Sequence, residues 1–140
     1  MATILIDAKG LIEGRRLRKL STKARYLYPI FLGLSNFYAR LELDYELLVG
    51  RLVTFHDPDV TLENIEAWFN KYKQAYLCFI YQNGEWAQFD TPVEMRRDYP
   101  SKEDNKSPAP PDTEYTNWLK GLHGDNWEDY HMTKYRDHIS

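Results

Sequence analysis

Four histidines, one cysteine and a close pair of aspartates are the residues best equipped for metal, nucleophilic or proton-transfer chemistry, and their spacing argues against all three. His123, His131 and His138 lie among the acids Asp125, Glu128 and Asp129, with His56 far off, and none of the recognised zinc-ligand spacings is present. Cys78 sits in the apolar run 76–81, where a lone cysteine serves as a small hydrophobe, and with no second cysteine it makes no internal disulfide. Asp57 and Asp59 flank Pro58, a loop-and-cap pattern rather than a catalytic carboxylate pair. A Gly-rich phosphate loop and a nucleophile elbow are both missing. The expectation is a protein with no catalytic residues, no metal and no cofactor.

Cations and amides remain, and theirs is the chemistry of phosphates and base edges. Between Glu13 and Arg25 the six cations Arg15, Arg16, Arg18, Lys19, Lys23 and Arg25 face one acid. From Ser101 to Ser140 the balance reverses, with five cations against eight acids. The net charge of −3 is unusual for a phosphate-binding protein, so its distribution matters more than its sum. A basic front and an acidic, aromatic rear suggest two different uses.

These side chains must be positioned by elements that the periodicity locates. Ser21 is an N-cap for a helix over about Thr22 to Phe37 or Tyr38, with Ala24, Leu27, Tyr28, Phe31, Leu34 and Tyr38 at helical spacing and Pro29 expected to kink it. Arg40-Leu41-Glu42-Leu43 alternates as a short strand. Asp44 then caps a second helix running to about Val53, with Leu47, Leu48 and Leu52 expected inward. Thr61 caps a third, whose Leu62, Ile65, Trp68, Phe69 and Tyr72 form an apolar stripe. Asn83-Gly84, between aromatic-rich runs, supplies the positive φ angles of a type I′ hairpin turn.

The fold class expected is therefore α+β: a winged helix, three helices plus a β-hairpin wing, with a partly ordered C-terminal tail. Its parts are a basic arm (1–20), the winged-helix domain (21–100), a Pro-rich linker (101–111) and an acidic aromatic tail (112–140). The tail is too aromatic to be merely solvating; it packs back as a short helix from about Thr113 to Lys120 or serves as a docking segment. No apolar run is long enough to span a bilayer and the first residues lack a secretory signal pattern, so a soluble protein with a cytoplasmic location is expected.

The segments Leu11-Ile12-Glu13-Gly14-Arg15-Arg16-Leu17-Arg18, Ala24-Arg25-Tyr26-Leu27-Tyr28-Pro29, Ala39-Arg40-Leu41-Glu42-Leu43 and Leu77-Cys78-Phe79-Ile80-Tyr81, with Asn83-Gly84, Trp86-Ala87-Gln88 and the Pro-rich exit, together resemble the N-terminal winged-helix region of phage and prophage replication-initiation proteins of the replisome-organiser type. The resemblance implies duplex DNA binding at an origin and recruitment of replication machinery, without catalysis. The chain departs from it in two ways. It stops soon after the linker, where such proteins often continue into a partner-binding domain, and it places Glu63 and Glu66 in the first turns of helix three. Carboxylates there repel phosphates, and their simpler role is to complement the helix macrodipole.

The expected duplex footprint is thus Arg15, Arg16, Arg18 and Lys19 in the arm, Asn70, Lys71, Lys73 and Gln74 in the later half of helix three, and Arg96, Arg97, Lys102 and Lys106 beyond the wing. The competing expectation is a protein-interaction winged helix, an accessory factor or an inhibitor of a host nucleic-acid-handling complex. Trp118, Leu122, Trp127 and Tyr130 are then the partner-binding residues. Aromatic content also permits dimerisation.

Overall fold

The computed structural model describes residues 14–93 and 100–132, which form an α+β assembly of five α-helices and one small antiparallel sheet. Helix α1 (Thr22–Leu34) starts where the Ser21 hydroxyl accepts the Ala24 N–H, and it runs through Pro29. It ends earlier than its aromatic spacing predicts. The Asn36 side chain accepts from the N–H groups of Tyr38 (2.9 Å) and Arg40 (3.1 Å), which turns the chain into strand β1 (Arg40–Glu42). Phe37 and Tyr38 consequently leave the helix and pack with Met132 in a separate small cluster.

Helix α2 (Tyr45–Phe55) is capped by Asp44, and helix α3 (Leu62–Gln74) by a reciprocal capping box between Thr61 and Asn64. In α2 the buried pair is Leu48 and Leu52; Leu47, expected inward, lies one residue round the helix and is 56% exposed. In α3 the inward stripe is Ile65, Trp68, Phe69 and Tyr72, while Leu62, expected with them, is only half-buried in the first turn. Strands β2 (Cys78–Tyr81) and β3 (Trp86–Phe89) form the hairpin. Its turn closes with Glu85 N–H donating to Gln82 O at 3.1 Å, and Asn83 and Gly84 hold positive φ angles of 57° and 85°.

The sheet order is β1-β3-β2, with Leu41 opposite Ala87 on one side of β3 and Ile80 opposite Ala87 on the other. One face carries the main core. Phe31, Phe69, Tyr72 and Phe89 are fully buried there in edge-to-face and tilted contacts, and Tyr72 OH donates to the Ala24 carbonyl at 2.6 Å. Cys78 belongs to this core, and burial pushes its thiol up to about 12, so at neutral pH it is an uncharged packing group.

The second face is covered by residues expected to form a linker and a tail. A short helix α4 (Lys102–Lys106) leads into Ser107, whose carbonyl and hydroxyl accept from the Arg40 guanidinium, while Tyr81 OH donates to the Pro108 carbonyl at 2.6 Å. Helix α5 (Asp112–His123) then lays Tyr115 and Trp118 against Phe79, each ring centroid 5.6 Å away. A 3-10 stretch (Gly124–Tyr130) follows. Of the two roles left open for this segment, the described part takes the first: it packs back, with a helix three residues longer at its C-terminal end than the spacing predicts.

Candidate nucleic-acid interface

With Ile65, Trp68, Phe69 and Tyr72 committed to the core, helical geometry turns Asn70, Lys71, Lys73 and Gln74 outward, and all four are exposed. Glu63 and Glu66 are exposed too, at the opposite end of α3, so the helix surface is acidic at its start and cationic at its finish. Each sign complements the macrodipole at its own terminus.

The helix ends in a Schellman arrangement: Tyr76 N–H donates to Lys73 O at 3.1 Å and Leu77 N–H to Tyr72 O at 3.0 Å. Tyr76 holds the left-handed position of this motif, φ 59°, and its side chain is exposed. Together with Asn70, Lys73 and Gln74 it lines an open recess of about 420 Å³.

The basic segment before α1 is folded rather than extended. Arg18 N–H donates to Gly14 O at 3.0 Å, a 3-10 turn spans Leu17–Lys19, and Leu17 is buried at 3% exposure as its anchor. Arg16 then fastens the turn to the end of α3. Its Nη1 donates to Tyr76 O and to Asp90 Oδ2, both at 2.7 Å. Arg16 was expected on phosphates; the structure occupies its guanidinium with a carboxylate that is only 1% exposed. Arg15, Arg18 and Lys19 stay exposed around it. Of the other cations in the segment, Lys23 pairs with Asp57 at 2.6 Å, which holds that carboxyl below its usual range, and Arg25 leans over the Tyr26 ring.

Asp90 also accepts from His123, whose Nε2 lies 2.8 Å and 3.1 Å from its two oxygens. A carboxylate only accepts, so Nε2 carries the proton of this bond. The imidazole is stacked on Tyr130, rings 3.5 Å apart and parallel within 1°. One buried carboxylate thus joins the basic turn, the end of the hairpin and the last residue of α5. Asp90→Asn should therefore loosen both partners, lowering stability by about 2–3 kcal/mol in thermal unfolding and speeding amide exchange in residues 15–20. Unchanged exchange there would mean that Leu17 alone holds the turn.

The remaining expected contacts fall elsewhere. Lys102 and Lys106 lie on α4, in the segment covering the other face of the sheet, and Lys106 pairs with Glu103 at 2.9 Å. Arg96 and Arg97 lie outside the described residues. Trp118, Leu122, Trp127 and Tyr130 are all half-buried within their own chain: Trp118 on Phe79, Trp127 beneath the Lys120 ammonium at 5.1 Å, Tyr130 on His123. Among the described residues no group of three or more His, Cys, Asp or Glu side chains could hold a metal ion.

Three residues that matter here carry no sequence signal of their role. Asp90 reads as the residue closing a strand, His123 as a stray tail histidine and Tyr76 as the start of β2. Comparison with family models, with curated proteins and with solved structures finds no match to this chain.

Proposed function

We propose that this chain is a non-catalytic winged-helix protein that binds duplex DNA through the C-terminal half of α3 and the basic turn beside it. The helix–strand–helix–helix–strand–strand order and the β1-β3-β2 sheet support the winged-helix reading. The observation that carries the functional reading is the pair of hydrogen bonds that Arg16 Nη1 donates to Tyr76 O and Asp90 Oδ2. It sets Arg15, Arg18 and Lys19 next to the end of α3 that bears Lys71 and Lys73. The exposed cations Arg15, Arg18 and Lys19 of the turn and Lys71 and Lys73 of the helix end provide the phosphate contacts that a net charge of −3 conceals. Glu63 and Glu66 keep the start of α3 off the phosphates, so contact runs from the helix end toward the turn. The resemblance to phage replication-initiation proteins supplies the setting: replication of DNA or its control, in the cytoplasm of a bacterial host.

Fluorescence anisotropy with a labelled mixed-sequence duplex tests this directly. The wild type should bind at low salt and lose affinity steeply as salt rises. Reversing Arg15, Arg18 and Lys19 to glutamate should weaken binding and flatten the log–log salt slope by about 2–3, close to 0.9 per lost phosphate contact. The same reversal at Lys102 and Lys106 should change little.

A second reading, a protein-directed winged helix, is favoured by one observation. Helix α2 leaves Leu47, Val53 and Phe55 exposed at 56%, 38% and 75%. Absence of duplex binding even at low salt selects that reading, with α2 rather than Trp118 and Trp127 as the surface to map. Among the described residues no helix is long and apolar enough to cross a membrane.

A further inference from the structure

Tyrosine is a poor choice for the left-handed residue that ends a helix, because its Cβ crowds the backbone there and glycine does not. Three other non-glycine residues among those described share a positive φ: Gln82 and Asn83 form the hairpin turn, and Ala39 is fully buried. Tyr76 alone is a large aromatic, and it is 55% exposed, so core packing does not explain its retention. Its backbone is held from both sides, through its N–H by Lys73 O and through its carbonyl by Arg16. Tyr76 forms one wall of the recess that Asn70, Lys73 and Gln74 also line. Unfavourable backbone geometry kept at a solvent-facing aromatic is a reason to look for a ligand.

We infer that this recess is a subsite for a single unpaired nucleobase, stacked on the Tyr76 ring. The inference rests on the nucleic-acid reading above and narrows its substrate to DNA with a single-stranded portion, such as a junction, a fork or a melted site. Each side chain has a matching task. The ring offers a flat face, which every base can stack on whatever its sequence. Asn70 and Gln74, one helical turn apart, present amide donors and acceptors of the kind that pair with base edges. Lys73 sits beside them for the adjoining phosphate, and the turn that bears Arg15, Arg18 and Lys19 is tied to Tyr76 itself through Arg16. A base in an intact duplex has both faces occupied by its neighbours and cannot enter, so selectivity for unpaired bases follows from geometry.

The test uses the full chain and two labelled DNAs of equal phosphate count, a blunt duplex and a duplex with a single-stranded overhang carrying 2-aminopurine. The wild type should prefer the overhang by at least about fivefold and change the 2-aminopurine fluorescence on binding, as stacking on one aromatic side chain is typically worth that much. Tyr76→Phe should keep both effects. Tyr76→Gly should abolish both while raising the thermal midpoint, since glycine suits this φ; a role in folding alone would change the midpoint and leave the overhang preference untouched. Equal affinity of the wild type for both DNAs, or a preference that survives in Tyr76→Gly, overturns the subsite while leaving duplex binding standing. Failure to bind either DNA at low salt overturns the subsite together with the nucleic-acid reading.

Discussion

Phe69→Ala is expected to lower stability by about 3–5 kcal/mol, enough to remove a large part of the 5–15 kcal/mol that typically separates a native domain from its unfolded state. Phe69 is fully buried, with its ring centroid 4.9 Å from Phe31, 5.3 Å from Tyr72 and 6.3 Å from Phe89. It touches aromatics from α1, α3 and β3 together. Truncation opens a cavity among rigid rings, which collapse into it less readily than flexible aliphatic side chains. Urea unfolding should show the loss as a lower midpoint with little change in slope. Binding should suffer as well, because the outward face of α3 is placed by its inward stripe. Phe55→Ala, at a side chain 75% exposed, is the comparison and should shift stability by less than about 0.5 kcal/mol. A loss at Phe69 no greater than at Phe55 would contradict the core assignment.

Arg40→Ala should cost a similar amount, about 3–5 kcal/mol, by a different route. Arg40 is 5% exposed on the second face of the sheet, and burial pulls its pKa down, as for any cation taken from water. Its Nε donates to Gln88 Oε1 at 2.9 Å, its Nη1 to Ser107 O at 3.2 Å and to Ser107 Oγ at 3.3 Å, and its guanidinium lies 4.7 Å from the centre of the Tyr38 ring. Removing it strands acceptors where water has no ready access. The consequence is local before it is global. Residues 101–132 should loosen first, seen as faster proteolysis near Pro108 and a red-shifted emission from Trp118, while the helices on the first face hold. Loss of both faces in a single step, with no selective cleavage, would mean that the Arg40 contacts do not fasten this segment.

These two cases mark what the amino-acid sequence discloses and what it does not. The α3 stripe was legible because a helix with one buried face writes its own period, and Thr61 marked its start; that Asn64 completes the cap did not show. Asn70, Lys71, Lys73 and Gln74 followed as the outward remainder. The end of α1 was misread because Phe37 and Tyr38 continue the helical spacing, while the Asn36 side chain competes for the backbone N–H groups. Leu47 was misread because its hydrophobicity says nothing about which neighbour is present. The aromatic-rich runs of β2 and β3 do not say that residues from beyond Pro100 will cover one face of the sheet. The Arg16–Asp90–His123 contacts join residues distant in sequence, and no local pattern encodes them. Tyr76 escaped notice because a positive φ at tyrosine contradicts its propensity.

The covering of the second sheet face also has a consequence for synthesis. A ribosome delivers α1, α2, α3 and the hairpin before Ser107, Pro108, Tyr115 and Trp118 exist as chain, and domains begin to fold as they emerge. In that interval the hairpin presents Phe79 and Tyr81 to water, and the edge strands β1 and β2 have no cover on that side. The nascent protein is at its most adhesive after β3 has emerged and before α5 has. A pause in translation between β3 and α5 should therefore raise its aggregation, and chains cut short after the hairpin should aggregate more than chains that include α5.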